Sequence, residues 1–134
     1  MLKPLRLLRL ANPVVRSVLR SRVHPLLSGR LLVLTYSGRR TGRTFAIPLR
    51  YAETDDGRLV AVALRPEEKL WWRAFAEEAA ASVTLRGANK PVTGVITAGA
   101  PRDEALAAYI ARYGSSRRLL DDAAIVVFTR DGES

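Results

Sequence analysis

The chain contains no cysteine, which excludes disulfides and thiolate metal sites. It contains one histidine, His24, so a histidine-rich metal centre is excluded and a Ser-His-Asp triad is disfavoured. No apolar run reaches the roughly 18 to 20 residues that a membrane-spanning helix needs. Arg6, Arg9 and Arg16 interrupt the hydrophobic stretches near the start, which argues against a cleaved secretory signal. No Asp or Glu precedes Glu53, whereas eleven Lys and Arg do. The net charge of +9 therefore belongs to the first half of the chain. Such asymmetry points to an anionic partner: nucleic acid, lipid headgroups or a polyanionic small molecule.

The stretch Leu31 to Tyr51 organises the rest. Leu31-Leu32-Val33-Leu34-Thr35-Tyr36 is an apolar arm that ends in β-formers, and Thr44 to Tyr51 returns in an extended pattern. Between them lies Ser37-Gly38-Arg39-Arg40-Thr41-Gly42-Arg43. The two glycines permit positive φ or a close approach to the backbone. Arg39, Arg40, Thr41 and Arg43 offer guanidinium forks, a hydroxyl and main-chain N–H groups to an anion. The turn is read as a grip on the charged tail of a cofactor. It is not a P-loop, because the GxxxxGK[ST] spacing and its lysine are absent. The competing reading is a turn that is Gly- and Arg-rich simply because it is solvated.

Upstream, residues 3–10 alternate basic and apolar at helical spacing. Asn12-Pro13 has the form of an N-cap followed by Pro at the first helical position. Val14, Val15, Val18 and Leu19 then share one helix face, with Arg16 and Arg20 on another. This helix packs on the domain, or lies on an anionic membrane surface. His24-Pro25 breaks it.

Downstream, Asp55-Asp56-Gly57 is a turn and Leu59 to Leu64 a largely buried strand. Pro66, with Glu67 and Glu68 in the first turn, is expected to open a helix that carries Trp71 and Trp72. Adjacent helical positions diverge by about 100 degrees, so one indole packs inward while the other is available to stack on a planar ring. Further strands are expected over 81–86, 92–98 and 123–129, with Gly87 to Pro91 as a connection. A helix is expected from Pro101 to about Tyr113, stopped by Gly114, followed by a polar connector over 115–122. The fold class is α+β: about six short, mostly antiparallel strands curled into a small barrel, with an N-terminal helix and two intervening helices.

The run TYSGRRTGRTFAIPLRY, followed by a hydrophobic strand, a Trp-bearing helix start and a strand pair, resembles the deazaflavin-dependent nitroreductase family. That family belongs to the split β-barrel, flavin-reductase and FMN-binding-like superfamily. The resemblance spans roughly Gly29 to Arg130. Its most specific part is Gly38-Arg39-Arg40-Thr41-Gly42 with Pro48-Leu49 downstream. The chain is read as a 1–24 basic amphipathic helical segment followed by a 25–134 split-barrel cofactor-binding domain. The resemblance implies a redox enzyme that binds coenzyme F420 and passes a hydride to an organic acceptor. By match, Arg39, Arg40, Thr41, Gly42 and Arg43 hold the coenzyme tail. Ile47, Pro48 and Leu49 flank the ring, and Ala63, Leu64 and Arg65 border it from the third strand, with Trp71 and Trp72 beside it. Where many relatives carry Ser and a Gly pair after that strand, this chain has Leu64-Arg65-Pro66-Glu67-Glu68-Lys69. Where many have Trp-x-x-Asn-Leu, it has Trp71-Trp72-Arg73-Ala74-Phe75.

A hydride carrier brings its own chemistry, which fits a chain with few acid–base groups. No catalytic residue is assigned; Tyr36, Tyr51, Tyr109 and Tyr113 are read as structural, with proton donation or orientation of the substrate as the alternative. No metal is expected. The partners expected are a small-molecule electron acceptor and, from the family, a second copy in a homodimer, in a cytoplasmic protein with peripheral membrane contact through the N-terminal helix as an option. The alternatives are an FMN-binding split-barrel oxidoreductase, or a non-catalytic basic module that binds nucleic acid or a membrane surface. No aromatic strip is interleaved with the arginines, which counts against nucleic acid.

Overall fold

The computed structural model describes residues 30–38, 41–114 and 117–131. Among them are six strands: β1 (Leu31–Ser37), β2 (Thr44–Glu53), β3 (Leu59–Ala63), β4 (Ala79–Leu85), β5 (Ala88–Ile96) and β6 (Ala124–Arg130). They close into a barrel in the order β1-β2-β3-β6-β5-β4, with every neighbouring pair antiparallel. The expected α+β barrel is present. The N-terminal helix and His24 lie outside the described residues, as does the boundary at residue 24.

Period-two alternation explains the interior. Leu32, Leu34 and Tyr36 of β1 point inward with Val83 of β4, Val92 of β5 and Val126 and Phe128 of β6. Phe75 fills the middle and meets Phe128 edge-on at 5.2 Å between ring centroids. Gly94 of β5 makes room for that pair. A Cβ there would come within 2.7 Å of Phe128 and 2.8 Å of Phe75.

Helix α1 (Gly99–Tyr113) lies outside the barrel. Its Ala105, Leu106 and Tyr109 pack on Ala52, Val60, Ile125 and Val127, the outward residues of β2, β3 and β6. Gly114 ends it at φ 67°, donating its N–H to the Ile110 carbonyl at 2.7 Å. The short α2 (Arg117–Leu120) follows. The Arg102 guanidinium ties the two together, donating to the carbonyls of Leu120, Asp121 and Ala123 at 3.0 Å each.

Three local expectations are corrected. The helix expected from Pro66 is two 3₁₀ turns, Pro66–Glu68 and Trp71–Phe75. Arg65 enters in the left-handed region at φ 49° and Lys69 is extended, so no continuous i→i+4 ladder can form. The connection expected over Gly87 to Pro91 is a two-residue turn at Arg86 and Gly87, with φ 50° and 80°. Positive φ at both central positions is the geometry that matches strand twist, so β5 starts at Ala88 and Pro91 lies within it, opposite Ser82. Part of the polar connector is helical, as α2.

Candidate functional site

β2 carries the site, because its two halves pair differently. Thr44 to Arg50 pairs with β1 alone. Only Tyr51, Ala52 and Glu53 pair with β3, opposite Ala61, Val60 and Leu59. Val62 and Ala63 of β3 go on to pair only with Ile125 and Ala124 of β6. Past the Tyr51–Ala61 rung the two strands therefore part, and the barrel is split between β2 and the end of β3. Pro48 lies in the unpaired half, where its missing N–H breaks no ladder on that side.

The inward residues along this split are apolar. Ile47, Leu49, Trp72 and Ala124 are half-buried against the interior cluster that contains Ala63, Trp71 and Phe75. Pro48 is half-buried on the opposite face of β2. Trp71 is 6% exposed and belongs to the core, so Trp72 is the indole closer to solvent. Its Nε1–H donates to the Pro66 carbonyl at 2.7 Å, and the Arg73 guanidinium sits 5.5 Å from its ring centroid. At the lip, Leu64, Leu70 and Phe45 are exposed large apolar side chains. Arg65 projects into solvent beside Glu68, with Nε 3.8 Å from Oε1. The Lys69 ammonium donates to the Leu64 carbonyl at 3.1 Å. Structure thus brings Ile47, Leu49, Ala63, Trp71 and Trp72 into one cluster and places Leu64 and Arg65 at its rim.

The β1–β2 turn stands at one end of the split. The Gly38 N–H donates to the Arg43 carbonyl at 2.8 Å, and the Gly42 N–H to the Gly38 carbonyl at 2.9 Å. The Arg43 N–H donates to Thr41 Oγ1 at 3.2 Å. These three N–H groups are used inside the turn, so of the main-chain donors expected to face an anion the one on Arg43 is already engaged. What Thr41 and Arg43 offer outward is a hydroxyl proton and a guanidinium. Gly42, at φ 72°, holds the left-handed position that lets the turn close. Arg39 and Arg40 lie outside the described residues. Below the turn, Phe45 stacks on Tyr36 with centroids 5.4 Å apart. Burial pushes the Tyr36 phenol above its ordinary value, so it remains protonated at neutral pH.

Sequence reasoning missed Phe45 and Ala124. Phe45 had a faint signal, an aromatic directly after the basic turn. Ala124 had none, since only the β3–β6 register sets it opposite Ala63.

A separate groove of about 510 Å³ lies between the β2–β3 turn and α1, lined by Asp55, Asp56, Arg58, Glu104 and three alanines. Along β2 it is roughly 30 Å from the basic turn. Thr54 and Arg58 hydrogen-bond the Asp56 carboxylate and hold it below the usual range. With three carboxylates at its rim, it is the wrong sign for an anionic coenzyme tail, so it is not taken as the site. No group of three or more potential ligands among the described residues could hold a metal ion, and no described helix is long and apolar enough to cross a membrane.

Comparison with known proteins agrees with this fold. A sequence model of the family described as F420H(2)-dependent quinone reductase matches residues 7–129. Among solved structures, the protein Atu2129 of unknown function from Agrobacterium tumefaciens str. C58 superposes with a TM-score of 0.61 at 22% identity, over 77% of this chain. The chain spans about half of that protein, 49% of its length. An F420-H2 dependent reductase, FDR-A, superposes with a TM-score of 0.61 at 19% identity, over 74% of this chain and 92% of its own. A structure described as a domain-swapped dimer gives a TM-score of 0.60 at 16% identity, over 84% of this chain and 97% of its own. At these identities the structural matches establish the fold. No curated protein matches by sequence.

Proposed function

The chain belongs to the F420H(2)-dependent quinone reductase family, and from that premise we propose that the split between β2 and β3 is where it holds the deazaflavin ring of coenzyme F420. The family is one of oxidoreductases that use this coenzyme, as the sequence resemblance implied. The assignment of the site to particular residues is our own.

One observation carries the reading: the inward face left open where β2 leaves β3 is apolar, and it ends at the arginine-bearing turn. The ring is flat and its tail is anionic. Ile47, Leu49 and Ala63 suit the ring, and Trp72 stands where an indole face can lie against it. Thr41 and Arg43, with Arg39 and Arg40, suit the phosphate and carboxylates of the tail. Arg65 adds a cation at the far lip.

When bound in its reduced form, the coenzyme supplies a hydride, that is two electrons and one proton. The protein's task is then to bind, orient and exclude water. Ile47, Leu49 and Trp72 keep the ring edge dry. The exposed apolar lip of Phe45, Leu64 and Leu70 suits a hydrophobic planar acceptor of the quinone or nitroaromatic class. Such an acceptor takes the hydride and one further proton from solvent. A homodimer, which the family resemblance implied, would place a second copy beside that lip.

Titration of the purified protein with coenzyme F420, followed by deazaflavin fluorescence, tests the reading, with FMN as the parallel arm. Saturable binding of F420 is expected. Arg43→Ala should weaken it by about tenfold, because a charge-assisted hydrogen bond is worth roughly 1.5 to 3 kcal/mol before exposure reduces it. Unchanged affinity on combined replacement of Thr41 and Arg43 by Ala would remove the turn from the site.

A further inference from the structure

Tyr51 is the last inward residue of β2 before the strands part, paired with Ala61 across the final rung. Its side chain lies in the interior cluster with Leu32, Leu59, Ala61 and Ala63, and the residue is 3% exposed. Its hydroxyl has no hydrogen-bond partner among the described residues. Its main chain, by contrast, is held on both sides. The N–H donates to the Arg30 carbonyl at 3.3 Å, and the carbonyl accepts from the Tyr113 hydroxyl. The strand is therefore fixed at the point of the fork while the phenol tip is left uncompensated.

A buried hydroxyl without a partner is unfavourable, and each such group asks for an explanation. Phenylalanine would fill the same space without that desolvation cost. The neighbouring inward positions, Leu49 and Ala63, supply no polar atom from their side chains. A planar ring entering between β2 and β3 would bring carbonyl oxygens into a cleft with few polar side-chain donors. The Tyr51 O–H is a buried donor without a partner among the described residues, carried by the last inward residue of β2 before the strands part.

We propose that the Tyr51 hydroxyl is a positioning donor for a ring carbonyl of the planar molecule that enters the split, with the deazaflavin and the quinone acceptor as the two sources of that carbonyl. The assignment rests on the site reading above and adds to it a specificity contact at the floor. The phenol does not exchange its proton in this role; it fixes how deep the ring sits.

The test is Tyr51→Phe in the full chain, measured three ways. Without ligand, the thermal midpoint should stay level or rise, because an unsatisfied hydroxyl has been removed. With coenzyme F420, fluorescence titration gives the dissociation constant. With saturating coenzyme and menadione, steady-state kinetics give KM. A roughly tenfold weaker coenzyme affinity supports the deazaflavin carbonyl as partner, and a tenfold higher KM at unchanged coenzyme affinity supports the acceptor carbonyl. If both constants stay within twofold of the parent while the parent binds coenzyme, the Tyr51 assignment is overturned and the site reading survives. If the ligand-free midpoint drops by several degrees, the hydroxyl serves the fold and the assignment is likewise overturned. If the parent protein binds neither coenzyme nor menadione, both readings fall together.

Discussion

Trp72 reaches back six residues to bond the carbonyl of Pro66, Nε1 to oxygen at 2.7 Å. That contact closes the loop of two 3₁₀ turns over the end of β3 and holds the indole at the edge of the split. Trp72→Phe keeps the aromatic face and removes the donor. We expect a loss of about 1 kcal/mol in unfolding free energy, the usual worth of one such bond. Coenzyme affinity should fall at the same time, because the ring loses its fixed orientation. Urea unfolding monitored by circular dichroism, alongside fluorescence titration, reads both. A stability loss with unaltered binding would separate Trp72 from the site.

Gly94 faces the edge-on pair Phe75 and Phe128, and the space for a methyl group is absent. Gly94→Ala must push aromatic rings that are fully buried. Overpacking of this kind costs about 1 to 3 kcal/mol. The midpoint of urea unfolding should move down with little change in slope. A variant as stable as the parent would show that the two rings have room to shift.

Arg65 holds φ at 49° without being glycine. A left-handed residue with a Cβ carries roughly 1 to 2 kcal/mol of strain, and such strain clusters at working sites. Arg65→Gly should therefore leave the protein as stable or more stable, while coenzyme affinity drops with the lost cation. The drop should shrink at high salt, since an exposed guanidinium is screened. A variant that binds as tightly as the parent at low salt would make Arg65 a turn residue only.

Tyr113 donates its hydroxyl to the Tyr51 carbonyl and packs against Tyr109, the ring centroids 4.8 Å apart and the planes tilted by 52°. Burial raises its pKa and that of Tyr109 above the ordinary 10.0, although the Arg50 and Arg112 cations pull the other way. A raised folded-state value means that the native protein holds these protons more tightly than the unfolded chain does. The resulting stability is fully present below pH 10 and is lost as pH rises through the folded values. Tyr113→Phe should cost about 1 kcal/mol at neutral pH through the lost bond. It should also flatten the decline above pH 10. Unfolding curves from pH 7 to 11 give the comparison, and an equally steep decline in the variant would assign it to other groups.

The β1–β2 hairpin was legible because two apolar arms flank a glycine-bounded turn, and local pattern decides such a unit. The same holds for β3, for α1 with its stop at Gly114, and for the basic character of the turn. The region after β3 was not legible in this way. Pro66 with two following acids reads as a helix start, yet Arg65 enters in the left-handed region and the helix never forms; no residue pattern announces that conformation. Arg86-Gly87 is a similar case, since an arginine at positive φ is chosen by strand twist.

Local chemistry alone set where charge lies and that the chain is mostly short extended segments around a basic turn, because those properties reside in neighbouring side chains. Tertiary structure decided that β2 follows β3 for only three rungs, and so that a split exists at all. It also decided that Trp71 is core and Trp72 rim, that Ala124 faces Ala63, and that the Tyr51 hydroxyl is buried without a partner among the described residues. Each of those depends on register between strands far apart in the chain, which closing the barrel imposes and no local window contains.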